Sequence, residues 1–349
     1  MPFFLDPKPV EERVRNYVRR GLKIAVIIPC FRVQSEIATV VNNIPDFVWR
    51  IFLVNDASTD ETGKILDRLE HDNPKVSVIH LPRNTGVGGA VLAGCNEACR
   101  LNAHILVKLD GDGQMDPAYI PLFVEPLFLG KADYAKGNRL LDSKTLNTMP
   151  FTRRWGNACL SFLNKLSSGY WNVLDPTNGF LAVRKELYEA LPQDQLSLGY
   201  FFESSILIAL GIMGGVVVDI PHPPRYGNEV SNLKIWKVVF EFPVKLLRGF
   251  LRRIWLRKML ITLTMEAVLG VIGLVLMLGG TIFGLIEFVN WAIVKRRAAP
   301  SGTVMSAALP FFLGFQMLMN AILLDIQATQ TQPLCRPMEL KADECINNP

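Results

Sequence analysis

Short apolar runs rich in β-branched residues recur along the first third of the chain, at Ile24–Ile28, Ile51–Val54, Val76–Ile79 and Ile105–Leu109. Runs of this length without polar alternation are the mark of strands buried on both faces. Between them, Thr62–Leu69 and Gly88–Arg100 read as helices. The alternation predicts an α/β fold, a mostly parallel sheet with helices on both faces. The pattern changes after Lys258, where Met259–Ile286 and Thr303–Ile326 are long apolar stretches. Each exceeds the roughly 20 residues a helix needs to cross a hydrocarbon core. Glu266 breaks the first stretch near one end, where an ionisable group marks function, packing or the interface. The expected division is an N-terminal extension (1–22), an α/β domain (23–232), a juxtamembrane segment (233–258), two spans (259–286 and 303–326) and a tail (327–349) that carries no readable motif.

Each strand exit is loaded with polar groups: Pro29-Cys30-Phe31, Asn55–Asp60, Leu81–Gly86 and Asp110–Gln114. In an open α/β sheet, ligands bind just past the carboxyl ends of the strands. Four such exits in succession predict one continuous ligand rim. Asp110 and Asp112 are its most informative members, two carboxylates separated by one glycine directly after an apolar run. Without a cation between them they repel. A hard divalent ion, Mg²⁺ or Mn²⁺, that also holds a diphosphate relieves that repulsion. Gln114 adds a neutral oxygen two residues on. Asp56 follows a buried strand, where a carboxylate can accept from a ribose or a base edge, whereas Thr59 or Asp60 equally suits a helix cap. Gly86, Gly88 and Gly89 permit close helix packing or ligand approach, with packing favoured.

The composition is 50% hydrophobic, with a mean hydropathy of +0.24 that the two apolar stretches account for. The net charge of +5 is concentrated beside those stretches. That placement points to anionic lipid rather than nucleic acid. Lys245, Arg248, Arg252, Arg253, Arg257 and Lys258 crowd the first span and place its entry on the cytosolic side, against a smaller opposing cluster at Lys295–Arg297. Met1–Gly21 is charged and contains proline, unlike a signal peptide. The α/β domain is therefore expected to face the cytosol. Val244, Leu247, Leu251 and Ile254 share one helical face while Lys245, Arg248 and Arg252 share another, the pattern of a helix lying in the membrane interface. Six cysteines lack metal-ligand spacing and are expected as free thiols.

Five motifs in order resemble the inverting family 2 glycosyltransferases of GT-A fold: Ile-Pro-Cys-Phe, Val-Asn-Asp-Ala-Ser-Thr-Asp, Arg-Asn-Thr-Gly-Val-Gly-Gly-Ala, Leu-Asp-Gly-Asp-Gly-Gln and Lys-Gly-Asn-Arg. The resemblance covers roughly residues 23–235 and is strongest to dolichol- and polyprenyl-phosphate sugar synthases. Two spans after the catalytic domain match the bacterial branch. The resemblance implies a nucleotide pocket at Pro29, Glu36 and Asp56, with Asp110, Asp112 and Gln114 as the metal-binding Asp-x-Asp-x-Gln. It implies acceptor-phosphate contacts at Arg139 and at Arg153 or Arg154, and a loop arginine over the donor phosphates at Arg225. Two departures stand out: Asn55 replaces the first of a usual aspartate pair, and the loop after Arg225 lacks the usual Gly-x-Ser-Lys.

These residues imply transfer of a hexose from a nucleotide sugar, uridine preferred to guanosine, to a polyprenyl phosphate. Inversion is implied by the resemblance. Asp175 and Glu203 are candidate bases, but orienting an arginine is ranked above proton abstraction for both, because a lipid phosphate is already anionic. A same-fold enzyme acting on the hydroxyl of a lipid-linked sugar is the nearest alternative. A non-catalytic membrane scaffold comes next, and two spans are too few for a repeat-built transporter. Small residues at Gly270, Gly273, Gly279 and Gly280 allow close helix packing or an oligomer.

Overall fold

The computed structural model describes residues 5–139, 151–223 and 235–339, with side chains left out at 151–155, 157 and 235–240. Two compact units result: residues 1–249 with 330–349, and residues 250–329.

The first unit is built on a seven-stranded sheet, β1 (Ile24–Cys30), β2 (Arg50–Asn55), β3 (Val76–His80), β4 (Ile105–Lys108), β5 (Tyr134–Asn138), β6 (Leu181–Arg184) and β7 (Val217–Pro221), in the order β3-β2-β1-β4-β6-β5-β7. All neighbours are parallel except β6, which runs antiparallel to both β4 and β5. β4, β5 and β7 therefore end on one edge of the sheet, where β6 begins. Helices cover both faces, α1 (Lys8–Arg19), α2 (Ile37–Asn42) and α5 (Ile120–Phe128) on one, α4 (Val87–Arg100) and α8 (Phe202–Met213) on the other. Helices α3 (Thr62–Asp72), α6 (Phe151–Ser168) and α7 (Lys185–Ala190) complete the unit. Alternation sorts the strand side chains: Ile105, Val107 and Leu109 join one core, Leu106 the other.

Both chain ends of this unit belong to it. Val10 and Val14 of α1 are buried, Tyr17 stacks on Phe128 at 3.9 Å, and Arg13 pairs with Glu125. The expected N-terminal extension is thus a packed layer. The motif-less tail is packed too. Asp133 is fully buried, and its carboxylate accepts from the amides of Val216 (2.8 Å), Leu334 (2.9 Å) and Cys335 (2.8 Å). A buried carboxylate needs such donors, and here the tail supplies two of them. Met338 N donates to Phe128 O at 3.1 Å. Cys30, Cys95, Cys99, Cys159 and Cys335 are free thiols, and Cys345 lies outside the described residues. Helix α9 (Ile235–Arg253) docks Phe242 and Leu246 against Phe201 and Ile208 while leaving Val244 and Leu247 exposed.

The second unit is a helical hairpin of α10 (Met265–Phe288), which continues to Val294, and α11 (Ser301–Gln327). The two are 30 and 27 residues long with mean hydropathies of 2.4 and 1.8, long and apolar enough to cross a membrane. The first begins later than expected because Ile254–Ile261 winds as a wider π-helix and breaks at Leu263, whose φ is +41°. Glycine sets the contact between the helices: a Cβ on Gly314 would lie 2.5 Å from Gly273 O, and one on Gly280 would lie 2.7 Å from Phe311 N. Arg253 forks onto Asp325 at 2.8 and 2.9 Å, and Lys258 contacts Glu266 and reaches Asp325 at 3.4 Å. Arg253 and Lys258 are 2% and 5% exposed, so these two members of the basic cluster are internal counter-ions rather than lipid-facing charges. Asp325, whose acidity the apolar pattern concealed, is what draws them in.

Candidate active site

The site lies along the edge where β4, β5 and β7 end. Lys108 and Asp110 are two residues apart on an extended segment and so share a face. The Lys108 ammonium is 2% exposed and sits 2.8 Å from Asp110 Oδ1 and 2.8 Å from Glu203 Oε1. Glu203 reaches it from the first turn of α8. Burial disfavours the Lys108 charge, but Asp110 and Glu203 outweigh it and hold the ammonium well above the ordinary lysine range. The aspartate pair therefore has a cation close by in sequence. Lys108 lies in the same strand and neutralises one oxygen of Asp110.

Asp112 and Gln114 occupy the following turn, where Gln114 N donates to Asp112 Oδ1 at 3.0 Å and Gly113 has φ +74°. Glu36, at the head of α2, comes within 3.9 Å of where a Gly113 Cβ would stand. Gly179 keeps the other side of Asp110 open, since a Cβ there would fall 2.1 Å from Asp110 Oδ2. Among the described residues no group of three or more His, Cys, Asp or Glu is arranged to hold a metal ion. Two carboxylates beside a cradle kept clear by glycine fit a hard divalent ion that takes its remaining ligands from a diphosphate.

Asp56 is 3% exposed and clamps the loop into α4, accepting from Thr85 N (2.6 Å), Thr85 Oγ1 (3.0 Å) and Gly86 N (2.9 Å). Both of its oxygens thus already serve the backbone. Pro29 pairs with Val54 in the β1–β2 ladder, half-buried. Asn55 places its amide 3.0 Å from His80 Nδ1 and accepts from Ser58 N at 3.0 Å, which gives the residue that departs from the family pattern a local structural task. Gly86 and Gly88 are packing glycines: Cβ atoms there would lie 2.6 Å from Leu198 O and 2.3 Å from Ser197 O.

The second half of the site is carried by Arg139, just past β5. Its guanidinium forks onto Asp175, Nε to Oδ2 at 2.8 Å and Nη2 to Oδ1 at 3.3 Å. Burial raises the Asp175 carboxyl, but Arg139 more than offsets this and keeps it below the ordinary carboxylate range. The turn Asp175–Phe180 precedes β6 and joins the two halves, with Asp175 on Arg139 and Gly179 against Asp110. Arg153 and Arg154 fall on α6 with their side chains outside the described residues, and Arg225 lies outside them altogether.

Several polar residues of the site were not singled out in the sequence. Lys108 and Lys136 are enclosed cations within buried strands, and Lys136 donates to Asn178 O at 2.5 Å. Burial pulls the Lys136 amine down to about 8. Asp219 on β7 accepts from Asn138 Nδ2 at 2.5 Å, and burial pushes its carboxyl up to about 6. The available signal was a charged residue inside a buried strand, which needs a partner wherever it occurs.

Comparison with known proteins identifies the family and the fold. Residues 25–191 match the family described as glycosyl transferase family 2. A UDP-N-acetylglucosamine–dolichyl-phosphate N-acetylglucosaminyltransferase of Methanococcus voltae is 34% identical over 198 residues, covering 53% of this chain and 78% of that one. An undecaprenyl-phosphate mannosyltransferase of Micrococcus luteus is 27% identical over 203 residues, covering 57% of this chain and 82% of the relative. The glucosyl-3-phosphoglycerate synthase of Mycobacterium tuberculosis, solved with Mn²⁺, UDP and phosphoglyceric acid, superposes with a TM-score of 0.51 over 72% of this chain and 84% of its own, at 18% identity, and shares the fold. With its sheet order, its aspartate pair at the end of β4 and these relatives, the chain belongs to the family 2 glycosyltransferases and is a GT-A enzyme.

Proposed function

We propose that this enzyme transfers a hexose from a nucleotide sugar to a polyprenyl phosphate at a membrane surface, with inversion at the anomeric carbon. The observation that carries the reading is the Asp175–Phe180 turn, which sets an anion-binding arginine beside the aspartate pair on one rim. Asp110, Asp112 and Gln114 would hold Mg²⁺ or Mn²⁺ against the donor diphosphate, where the ion supplies Lewis-acid stabilisation of the leaving group. Pro29, Glu36 and Asp56 line the nucleotide side, and uridine is preferred, as in the neighbour solved with UDP. Arg139, joined by Arg153 or Arg154, grips the acceptor phosphate through the fork geometry that suits such anions. Arg225 adds positive charge on the donor side.

A lipid phosphate attacks as an anion and needs positioning more than deprotonation. The carboxylates accord with that. Asp175 is committed to Arg139 and Glu203 to Lys108, so neither is poised as a base. This disfavours a sugar-hydroxyl acceptor, which requires one. The two apolar helices anchor the protein, with the catalytic unit on the cytosolic face. Tail residues 334–338 pack on the catalytic unit. Release of UDP or GDP from a panel of nucleotide sugars, measured with and without polyprenyl phosphate, tests the reading. Lipid-stimulated release supports it, and release indifferent to the lipid contradicts it.

A further inference from the structure

Asp175 does not hold Arg139 alone. Its Oδ2 also accepts from Asn178 Nδ2 at 3.4 Å, and that same amide nitrogen lies 2.9 Å from Nε2 of His222. His222 is fully buried just beyond β7, edge-on to Phe180 with ring centroids 5.4 Å apart. Its other nitrogen, Nδ1, lies 3.4 Å from Pro223 O. A carbonyl can only accept, so Nδ1 carries the proton and Nε2 is an acceptor. The assignment agrees with Asn178, whose Oδ1 accepts from Phe180 N at 2.8 Å and so turns its NH₂ toward the imidazole. Burial pulls His222 down to about 4, which keeps the ring neutral in this tautomer at physiological pH.

The backbone enforces the same arrangement. His222 N donates to Asn138 O at 3.0 Å, immediately before Arg139. Gly137 leaves just enough room: a Cβ there would stand 2.8 Å from His222 Nε2 and 3.1 Å from Asn178 Nδ2. Lys136 pins the turn from below through Asn178 O. The ends of β5 and β7 and the turn into β6 thus meet around Asn178 and His222.

We infer that His222 and Asn178 are positioning residues that fix the Arg139 guanidinium, through Asp175, in the orientation that receives the acceptor's phosphate. This rests on the reading of Arg139 as the acceptor-phosphate residue. His222 touches no reacting atom. It completes the hydrogen bonding of Asn178, which in turn holds Asp175 Oδ2, the oxygen that also accepts the shorter bond of the guanidinium fork. Losing the imidazole acceptor strands the Asn178 amide in a buried site, and the turn relaxes to satisfy it.

The test is steady-state transfer by the full-length protein in detergent, titrating polyprenyl phosphate at saturating donor and then the reverse. In His222→Leu the KM for the lipid rises about tenfold, the effect of one stranded buried hydrogen bond, while kcat and the donor KM stay near wild type. His222→Gln, whose amide oxygen can replace Nε2 as acceptor, restores most of the affinity. Gly137→Ala, which crowds the same junction without removing a polar group, behaves like His222→Leu. An unchanged lipid KM in both His222→Leu and Gly137→Ala, an equal rise in both substrates' KM, or failure of glutamine to rescue would overturn the inference. If the wild-type protein labels no lipid phosphate, the acceptor reading falls first and takes the inference with it. Normal wild-type transfer with unaffected variants refutes the inference alone.

Discussion

Lys108 Nζ lies 2.8 Å from Asp110 Oδ1, buried beneath the aspartate it neutralises. The contact binds a strand to the first turn of α8, because the same nitrogen also meets Glu203. Removing one partner of a buried pair leaves an uncompensated charge, whereas replacing both need not. Lys108→Met should therefore cost about 3–5 kcal/mol. Lys108→Met combined with Glu203→Gln should recover a large part of it. Thermal or denaturant unfolding of the single and double variants provides the check, and a double variant no more stable than Lys108→Met would refute the pairing as the cause.

Gly179 is required by its neighbours rather than by its own backbone. A Cβ there would stand 2.1 Å from Asp110 Oδ2 and 2.7 Å from Lys108 Nζ. Gly179→Ala should push the carboxylate off its present position and lower turnover about 100-fold, the scale of a misplacement near 1 Å. The fold should survive, since overpacking costs about 1–3 kcal/mol. Mn²⁺ affinity read by electron paramagnetic resonance should weaken in parallel.

The fold was legible in the sequence for a physical reason. β1, β2 and β4 are largely buried on both faces, so their apolar runs stand out, and together with the half-buried edge strand β3 each begins within a residue of its expected start. β6 and β7 were harder, because Leu181–Arg184 is four residues long and Val217–Pro221 carries Asp219 in its middle. The aspartate pair and Arg139 were visible as residue types at strand exits. Their partners were not, since the lysine–carboxylate bridge to Glu203 spans 95 residues and only the fold brings it together.

Two buried groups set opposing pH dependences. Asp219 is raised from 3.8 to about 6, so the folded state binds its proton more tightly; this contribution is full below about 4 and is lost as pH rises through about 6. His222 is lowered from 6.5 to about 4, so its contribution is present above about 6.5 and is lost as pH falls toward about 4. Each corresponds to about 3 kcal/mol, and in wild type they largely cancel between pH 4 and 6.5. Asp219→Asn should therefore lose stability steeply on acidification across that window, and His222→Gln should gain it. Melting temperatures taken from pH 4 to 7 would show the two slopes, and slopes of the same sign would contradict the assignment.

Glycines in the hairpin differ in what they do. A Cβ on Gly314 would meet Gly273 O and Met277 N, each at 2.5 Å, while nothing lies within 4 Å of one on Gly279. Gly314→Leu should separate the helices at a cost of about 1–3 kcal/mol or more. Gly279→Leu should be neutral. Thermal aggregation in detergent distinguishes them, and equal effects would show that the close approach is not where the helices meet.

Radiolabel transfer from a nucleotide sugar into an organic-phase lipid, with wild type and Asp112→Asn side by side, decides between polyprenyl phosphate transfer and its rivals. With polyprenyl phosphate and Mn²⁺ or Mg²⁺, wild type should place label in the lipid, chelation should abolish it, and Asp112→Asn should lower it at least about 100-fold. Donor hydrolysis without lipid labelling, or lipid labelling that survives both chelation and Asp112→Asn, would contradict the proposed reaction.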